Sequence, residues 1–477
     1  MKVRRGKTAG LTARMRKVVL PNTDPGANTW LSPLRLLIVA AIFHLSVTTT
    51  IYALGRGAIL PRTFDANGIA VSFASDGQGD RADAAALSEL IRRGFLREWV
   101  TAPLEFHLKL YSICFALFGP WLGLTIISIE PLNILLYLAV LILVFQLGRE
   151  VFNPRAATIA AVTVGLWPSL LLHSTQMLKD PMFIVGMLAF VLMNLHLLSR
   201  SFSWPGALLA GCVGGMIALL VWLARDSMGQ LLIATALIGS VMFIARQLQE
   251  KRILKTNLAG MALLLLMTIS VVKFVPEFTK PDGPRAPRVT TVKRDEQPSE
   301  GVRSGTSEAL PDDSRSGFAA RVGTLRRRFV LMYPNAGSNV DSSVELTNIA
   351  EVIRYLPRAA VIGFFAPFPN MWFAHGREVG SAGRRLGGIE TLGMYTIEGL
   401  AIVGLWRQRR RLSVWLLVSI AATGLMSLGL VVVNVGALYR LRYVFLILII
   451  IVAARGFTDL IDWLTMERRR KHSPERA

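Results

Sequence analysis

Runs of about twenty apolar residues recur along this 477-residue chain and limit what it can fold into. A helix of that length crosses the roughly 30 Å hydrocarbon core of a bilayer. Inside that core each backbone N–H and C=O must find a partner within the protein, which favours helices. The chain is 52% hydrophobic and only 18% charged, with a mean hydropathy of +0.47. The sequence therefore predicts an all-α integral membrane protein.

We count about ten transmembrane helices. They are predicted at 31–54, 121–147, 156–173, 181–198, 205–223, 228–245, 257–275, 389–406, 413–433 and 443–463. Lysine and arginine favour the cytoplasmic side of a membrane, so the basic tails at 1–30 and 464–477 place both termini in the cytoplasm. We interpret the first run as a retained span, because it is long and no convincing cleavage site ends it.

The connecting segments divide the chain further. The transmembrane core at 31–275 contains an external acidic loop at 55–105. The stretch Pro103–Gly119 at the end of this loop is apolar enough to lie along the interface as a helix. An external polar segment at 276–355 is rich in Pro, Gly, Ser and charge in its first part, which predicts partial disorder. The segment at 356–388 contains Pro367 and Pro369 and is predicted to be re-entrant or interfacial. The C-terminal transmembrane helices follow at 389–463.

The net charge of +22 and the pI of about 10.8 do not indicate nucleic-acid binding. The basic residues lie mainly in loops between apolar runs, which is typical of membrane topology. Cys114 and Cys212 both lie inside apolar segments, so neither a disulfide framework nor a cysteine metal site is expected.

The segment Ser72–Gly94 concentrates carboxylates in an otherwise basic chain, namely Asp76, Asp80, Asp83 and Glu89. Its ordinary interpretation is a solvated loop that becomes a helix, since acidic residues are favoured at helix N-termini. Its functional interpretation is a general base held at the membrane face. The sequence leaves both open.

Two further charged sets fall on the same predicted outer side: Lys179-Asp180 with Arg225-Asp226, and Arg440 with Arg442. Each has an ordinary explanation, as a helix start, a local surface pair or snorkelling side chains. Together they could perform group transfer, in which a carboxylate deprotonates an acceptor hydroxyl and arginines hold a phosphate leaving group.

Three ordered passages carry a family resemblance. They are DRADAAALSELIRRG from Asp80 to Gly94, FALFGPWLGLTIISIEPLNILLYLAVLILVFQLGREVFNPRAATIAA, and LWPSLLLHSTQMLKDPMFIVGMLAF. Residues 76 to 200 thereby resemble the GT-C superfamily of membrane glycosyltransferases, the relatives of protein O-mannosyltransferases and the bacterial aminoarabinose transferase. The loose passages RDSMG and YRLRYVF further on are similar to weaker family features.

This resemblance implies an inverting transferase with a GT-C-like fold in a bacterial inner membrane, using a polyprenyl-phosphate sugar and an external glycan, lipid or protein acceptor. The family's catalytic aspartate falls on Asp80, with Asp76 as the competing alignment. Asp180, beside Lys179, would support the acceptor or a metal ion.

The donor phosphate would fall to three arginines in this resemblance: Arg225, Arg440 and Arg442. No cofactor is implied, although some relatives use a divalent cation, and the sequence contains no convincing ligand set for one. Two positions depart from the family: Ala84 replaces a frequent aromatic residue, and Glu130 replaces a frequent arginine.

Two other classes of protein stay open. A polymerase or ligase of lipid-linked polysaccharides would depend on external arginines more than on an aspartate. A transporter, a flippase or a scaffold for an envelope complex would not be an enzyme. A transporter should place ionisable residues inside its spans, where the sequence offers mainly Arg35 and His44.

Overall fold

The computed structural model describes residues 33–59, 61, 63–69, 71, 77–279, 317–332, 337–373 and 380–471. These residues form α-helices joined by short loops, with two isolated β-bridges and no strand among them. The predicted all-α class is confirmed. Asp76 and residues 280–316, which make up most of the segment predicted to be partly disordered, lie outside the described residues.

We number the helices in chain order. They are α1 (Pro33–Arg56), α2 (Gly77–Arg92), α3 (Leu96–Thr101), α4 (Phe106–Leu122), α5 (Ile126–Val151), α6 (Pro154–Gly165), α7 (Pro168–Ser174), α8 (Asp180–Ser199), α9 (Trp204–Ala224), α10 (Gly229–Glu250), α11 (Lys255–Thr279), α12 (Phe318–Met332), α13 (Ile349–Phe365), α14 (Pro369–Trp372), α15 (Gly380–Gln408), α16 (Leu412–Val431), α17 (Val435–Leu441) and α18 (Tyr443–Lys471).

Eight of the described helices are long and apolar enough to cross a membrane, namely α1, α5, α8, α9, α10, α11, α16 and α18. The bent pair of α6 and α7 would make a ninth span. Helix α15 has 29 residues, which is sufficient length for a span, but it carries Glu390 and Glu398 within its apolar part. The multi-pass character is therefore confirmed, and the count of ten stays a prediction.

The predicted single span at 156–173 is instead two helices that meet at an angle of 66°. Trp167 adopts an extended conformation immediately before Pro168. A residue that precedes proline is driven out of the helical region by the proline ring, so the helix breaks here. The break turns α7 sideways and places its last residue, Ser174, inside the bundle.

Helix α18 is the centre of the bundle, since 78% of its most apolar window is buried. It packs closely along α15, where Gly404 faces the Val452 carbonyl and Gly456 faces the Leu400 carbonyl. Small residues at such crossings allow two helix backbones to approach each other.

A smaller apolar core lies at one end of the bundle. It joins α2, α4, the start of α5 and the α7–α8 loop, through buried side chains that include Ile69, Ala84, Tyr111, Phe115 and Ile126. This core fixes the acidic helix α2 onto the membrane helices. We call this region the Asp80 end of the bundle.

Helix α13 lies mostly in the segment 356–388, which was predicted to be re-entrant or interfacial, and begins in the preceding segment, which was predicted to be an external polar loop. It ends at Phe365, immediately before Ala366 and Pro367, and packs along α16 where Gly429 faces the Ala359 carbonyl. The prolines therefore end the helix as expected. The position of this segment relative to a membrane stays a prediction.

Candidate functional site

Asp80 lies in the first turn of α2, where the sequence placed an acidic helix start. Only 6% of the Asp80 surface is exposed to solvent, unlike that of an ordinary solvated helix cap. Ala84, Leu87 and Ser88 are also buried, and their spacing from Asp80 puts all four on one face of the helix. The amphipathic pattern of α2 therefore turns this carboxylate inward.

His107 on α4 connects Asp80 to a second carboxylate. Its Nε2 lies 3.4 Å from Asp80 Oδ2, and its Nδ1 lies 3.4 Å from Glu105 Oε2. The Glu105 carboxylate accepts a hydrogen bond of 2.9 Å from Lys179 Nζ. A continuous polar chain thus runs from α2 to the residue that precedes α8.

Asp180 is the first residue of α8, and Pro181 follows it in the favoured position for a helix start. Its buried carboxylate accepts a hydrogen bond from the Arg225 guanidinium, so Arg225 pairs with Asp180 rather than with its neighbour Asp226. The Arg225 guanidinium also lies 5.7 Å from the centre of the Phe183 ring. Arg440 is close enough to act electrostatically on Asp180.

Tyr111 on α4 holds the α7–α8 loop against these carboxylates. Its hydroxyl donates to Asn133 Oδ1 at 2.9 Å, and the Asn133 amide donates to the Thr175 carbonyl at 2.7 Å. Burial raises the pKa of Tyr111, and the charges of Asp180 and Asp80 raise it further.

Arg442 occupies a different position from Arg440. It is buried, donates to the Ala366 carbonyl and stacks over Tyr439, with its guanidinium carbon 4.6 Å from the ring centre. It therefore does not snorkel to a surface. Its role as a phosphate ligand stays a prediction, and its present contacts hold α17 against the end of α13.

A neighbouring set of polar residues ties α15 to α7. The Tyr439 hydroxyl donates to the Glu390 carboxylate, which accepts a 2.6 Å hydrogen bond from the Ser169 amide. The Tyr443 hydroxyl lies 3.3 Å from His173 Nδ1. These contacts fix the orientation of α7 beside the Asp180–Arg225 pair.

Three buried polar atoms at the Asp80 end have no hydrogen-bond partner among the described residues: Gln176 Oε1, Arg225 Nε and His107 Nδ1. The 3.4 Å contact of His107 Nδ1 with Glu105 is an ion-pair distance without the geometry of a hydrogen bond. Buried polar groups are normally satisfied, so this concentration marks unused hydrogen-bonding capacity. An oxygen-rich substrate could use both the donors and the acceptors. No three His, Cys, Asp or Glu side chains in the described ranges converge closely enough to hold a metal ion.

The structure brings together most of the predicted site residues, namely Asp80, Lys179, Asp180, Arg225 and Arg440. The sequence analysis missed the connecting residues Glu105 and His107 as parts of the site. Their signal was available, because both are polar and stand at the start of an otherwise apolar helix.

Comparisons with models of protein families, with curated proteins and with solved structures find no match to this chain. The fold itself defines the class: an α-helical, multi-pass integral membrane protein.

Proposed function

We propose that this protein transfers a sugar from a polyprenyl-phosphate donor to an envelope acceptor at the membrane surface. One observation carries the proposal. The buried aspartate Asp80 is joined through His107, Glu105 and Lys179 to the Asp180–Arg225 pair. This arrangement combines a proton acceptor with cationic groups that can hold a phosphate.

In this reaction Asp80 acts as the general base. The acceptor hydroxyl oxygen attacks the anomeric carbon of the donor sugar, and its proton passes to the Asp80 carboxylate. The bond between the anomeric carbon and the phosphate oxygen breaks, so the configuration inverts and polyprenyl phosphate leaves. Arg225 and Arg440 offset the charge that develops on the phosphate.

The remaining assignments follow the same proposal. Lys179 and Asp180 orient the acceptor, and Asp180 also fixes the Arg225 guanidinium. The reaction requires no cofactor. The Asp80 end faces the outside of a bacterial inner membrane, because the basic residues at both ends of the chain favour the cytoplasm.

The test is incorporation of radiolabelled sugar from polyprenyl-phosphate donors in membranes containing the full chain. We expect transfer by the wild type and a loss of about 100-fold or more in Asp80→Asn, which keeps the shape but not the basicity of the side chain. Glu89→Gln is the matched control, since Glu89 lies on the exposed face of α2. Equal transfer by wild type and Asp80→Asn, with Asp76→Asn also active, would contradict the aspartate mechanism.

A polysaccharide polymerase or ligase is the first alternative. It predicts insensitivity to Asp80→Asn with loss of activity in Arg440→Ala, so the same assay separates the two.

A transporter or flippase is favoured by one specific observation. His44 on α1 and Glu130 on α5 are buried between apolar helices, and ionisable residues in such positions often mark transport pathways. The test uses proteoliposomes that contain the full chain. Movement of a labelled lipid-linked sugar from one leaflet of their bilayer to the other, without transfer to an acceptor, would support transport and not sugar transfer.

A further inference from the structure

A second polar cluster lies where α1, α5 and the bent helix α7 meet. His44 Nδ1 lies 2.8 Å from Glu130 Oε1, and the Thr48 hydroxyl donates to Glu130 Oε2 at 2.9 Å. On its other side, His44 Nε2 lies 3.0 Å from Ser174 Oγ. All four residues are buried, so their hydrogen bonds must be satisfied within the cluster.

The Ser174 hydroxyl has one proton and two acceptors within reach. It can donate to the Leu171 carbonyl, which lies at 2.7 Å, or to His44 Nε2. If it donates to Leu171, its oxygen must accept a proton from His44 Nε2. If it donates to His44, that nitrogen must be unprotonated. The direction of one hydroxyl therefore depends on whether His44 Nε2 carries a proton.

We propose that His44, Glu130 and Ser174 form a binding site for one exchangeable proton inside the helix bundle. In the loaded state, the imidazolium donates from Nδ1 to the Glu130 carboxylate and from Nε2 to Ser174, which donates to Leu171. In the released state, the Nε2 proton has left, the Nδ1 proton still faces Glu130, and Ser174 donates to Nε2. Each polar atom of the imidazole is paired in both states.

The surrounding groups do not supply a competing proton. Tyr137 on α5 packs against the imidazole at 4.6 Å between ring centres, but its hydroxyl donates to the Gly165 carbonyl at 2.7 Å. His173 on α7 directs Nδ1 toward Ser169 and Tyr443. The charged residues on the contacting helices, Arg35 and Arg56 on α1, Arg149 and Glu150 on α5 and Arg155 on α6, lie near the helix ends.

The proton site is connected to the candidate functional site through α7. Ser174 follows His173, and the chain continues through the loop held by Asn133 to Asp180. A change in the Ser174 hydroxyl releases or restores the Leu171 carbonyl within the last turn of α7. Proton binding is thus coupled to the helix that precedes the site, whether the protein is a transferase or a transporter.

The variant Glu130→Gln tests the binding of the proton without removing the hydrogen bonds of the cluster. The Gln side chain can donate from its amide nitrogen to His44 Nδ1 and accept from Thr48, so it preserves each hydrogen bond around a neutral imidazole. It removes the carboxylate that stabilises the imidazolium. Glu250→Gln, on the exposed end of α10, is the matched control.

The experiment is a pH titration of the full chain in lipid nanodiscs. The protein is labelled with ¹⁵N-histidine, and nuclear magnetic resonance measures the chemical shifts of the imidazole nitrogens. His44→Gln assigns the signal. The titration runs from about pH 5 to pH 8, the range in which histidine side chains change charge. We expect the His44 imidazole of wild type and of Glu250→Gln to change from two protonated nitrogens to one as the pH rises, and that of Glu130→Gln to keep one protonated nitrogen throughout.

Two results would overturn the proposal: a single charge state of His44 in the wild type over that range, or the same transition in Glu130→Gln. If Glu130→Gln does not fold, the wild-type titration still decides, because an absent transition contradicts an exchangeable proton.

Discussion

Removal of the Arg225 guanidinium should strongly destabilise the protein, because it leaves a buried carboxylate without its partner. The side chains of Arg225 and Asp180 are only 13% and 5% exposed. Two unit charges about 4 Å apart attract by about 4 kcal/mol at an effective dielectric constant of about 20. Measured losses for one partner of a buried pair are about 3–5 kcal/mol. We therefore expect Arg225→Met to lower the free energy of unfolding by about 3–4 kcal/mol.

The pair itself should contribute much less than this loss. Desolvation of two charges offsets most of their attraction, so Asp180→Asn combined with Arg225→Met should cost about 1 kcal/mol. The double variant should thus be more stable than Arg225→Met alone. The control is Arg155→Met: its partner Asp462 lies at 2.8 Å, but both side chains are about half exposed, so the expected loss is about 0.5 kcal/mol.

The measurement is reversible unfolding in mixed micelles with an increasing fraction of sodium dodecyl sulfate, followed by far-ultraviolet circular dichroism. A loss below about 1 kcal/mol for Arg225→Met would refute the reasoning. So would a double variant as unstable as Arg225→Met, because the cost would then come from lost packing on Phe183 and not from an unpaired charge.

Two further predictions concern the C-terminal half. The Arg358 hydrogen bond, with a second from Tyr355, lowers the pKa of Asp341. The stability that this carboxylate contributes should therefore be present above about pH 4 and be lost as the pH falls through the lowered pKa. Asp341→Asn should be less stable than wild type at pH 7, and the difference should shrink as the pH falls below about 4; a constant difference would contradict this. Gly404→Ala should destabilise the protein by about 1–3 kcal/mol, because the added methyl group would meet the Val452 carbonyl. Gly399→Ala on the same helix is the control and should not destabilise it, since nothing lies within 4 Å of the added methyl group. Equal melting temperatures of the two variants would exclude close packing of α15 on α18.

Local chemistry explains why many helix ends could be predicted. Asp180-Pro181 begins α8, and α13 ends immediately before Ala366-Pro367, as the proline rules require. The break at Pro168 is governed by the same rules, yet the apolar run through it suggested one span. Hydropathy measures the composition of a run and is insensitive to a change in its direction.

From the sequence, the candidate site could be predicted only as sets of charged residues on the same outer side of the membrane, without their contacts. The carboxylate at Asp80 was expected at a helix start, but its burial depends on how α2 is rotated against α4. A local surface pair of Arg225 with the adjacent Asp226 was one interpretation of the sequence, whereas in the structure Arg225 pairs with Asp180, 45 positions away. Neighbours in sequence reveal little about which side chains meet across a helix interface.

The sequence by itself determined the class of protein, because apolar runs of this length can satisfy their backbone in a membrane only by forming helices. Only the tertiary structure decided which ionisable residues meet. His44 and Glu130 are 86 positions apart and belong to different helices, so their contact depends on helix rotation and on the bend that brings Ser174 between α1 and α5. Backbone hydrogen bonds are local and can be predicted from the order of residues, whereas partners between helices are set by packing across the bundle.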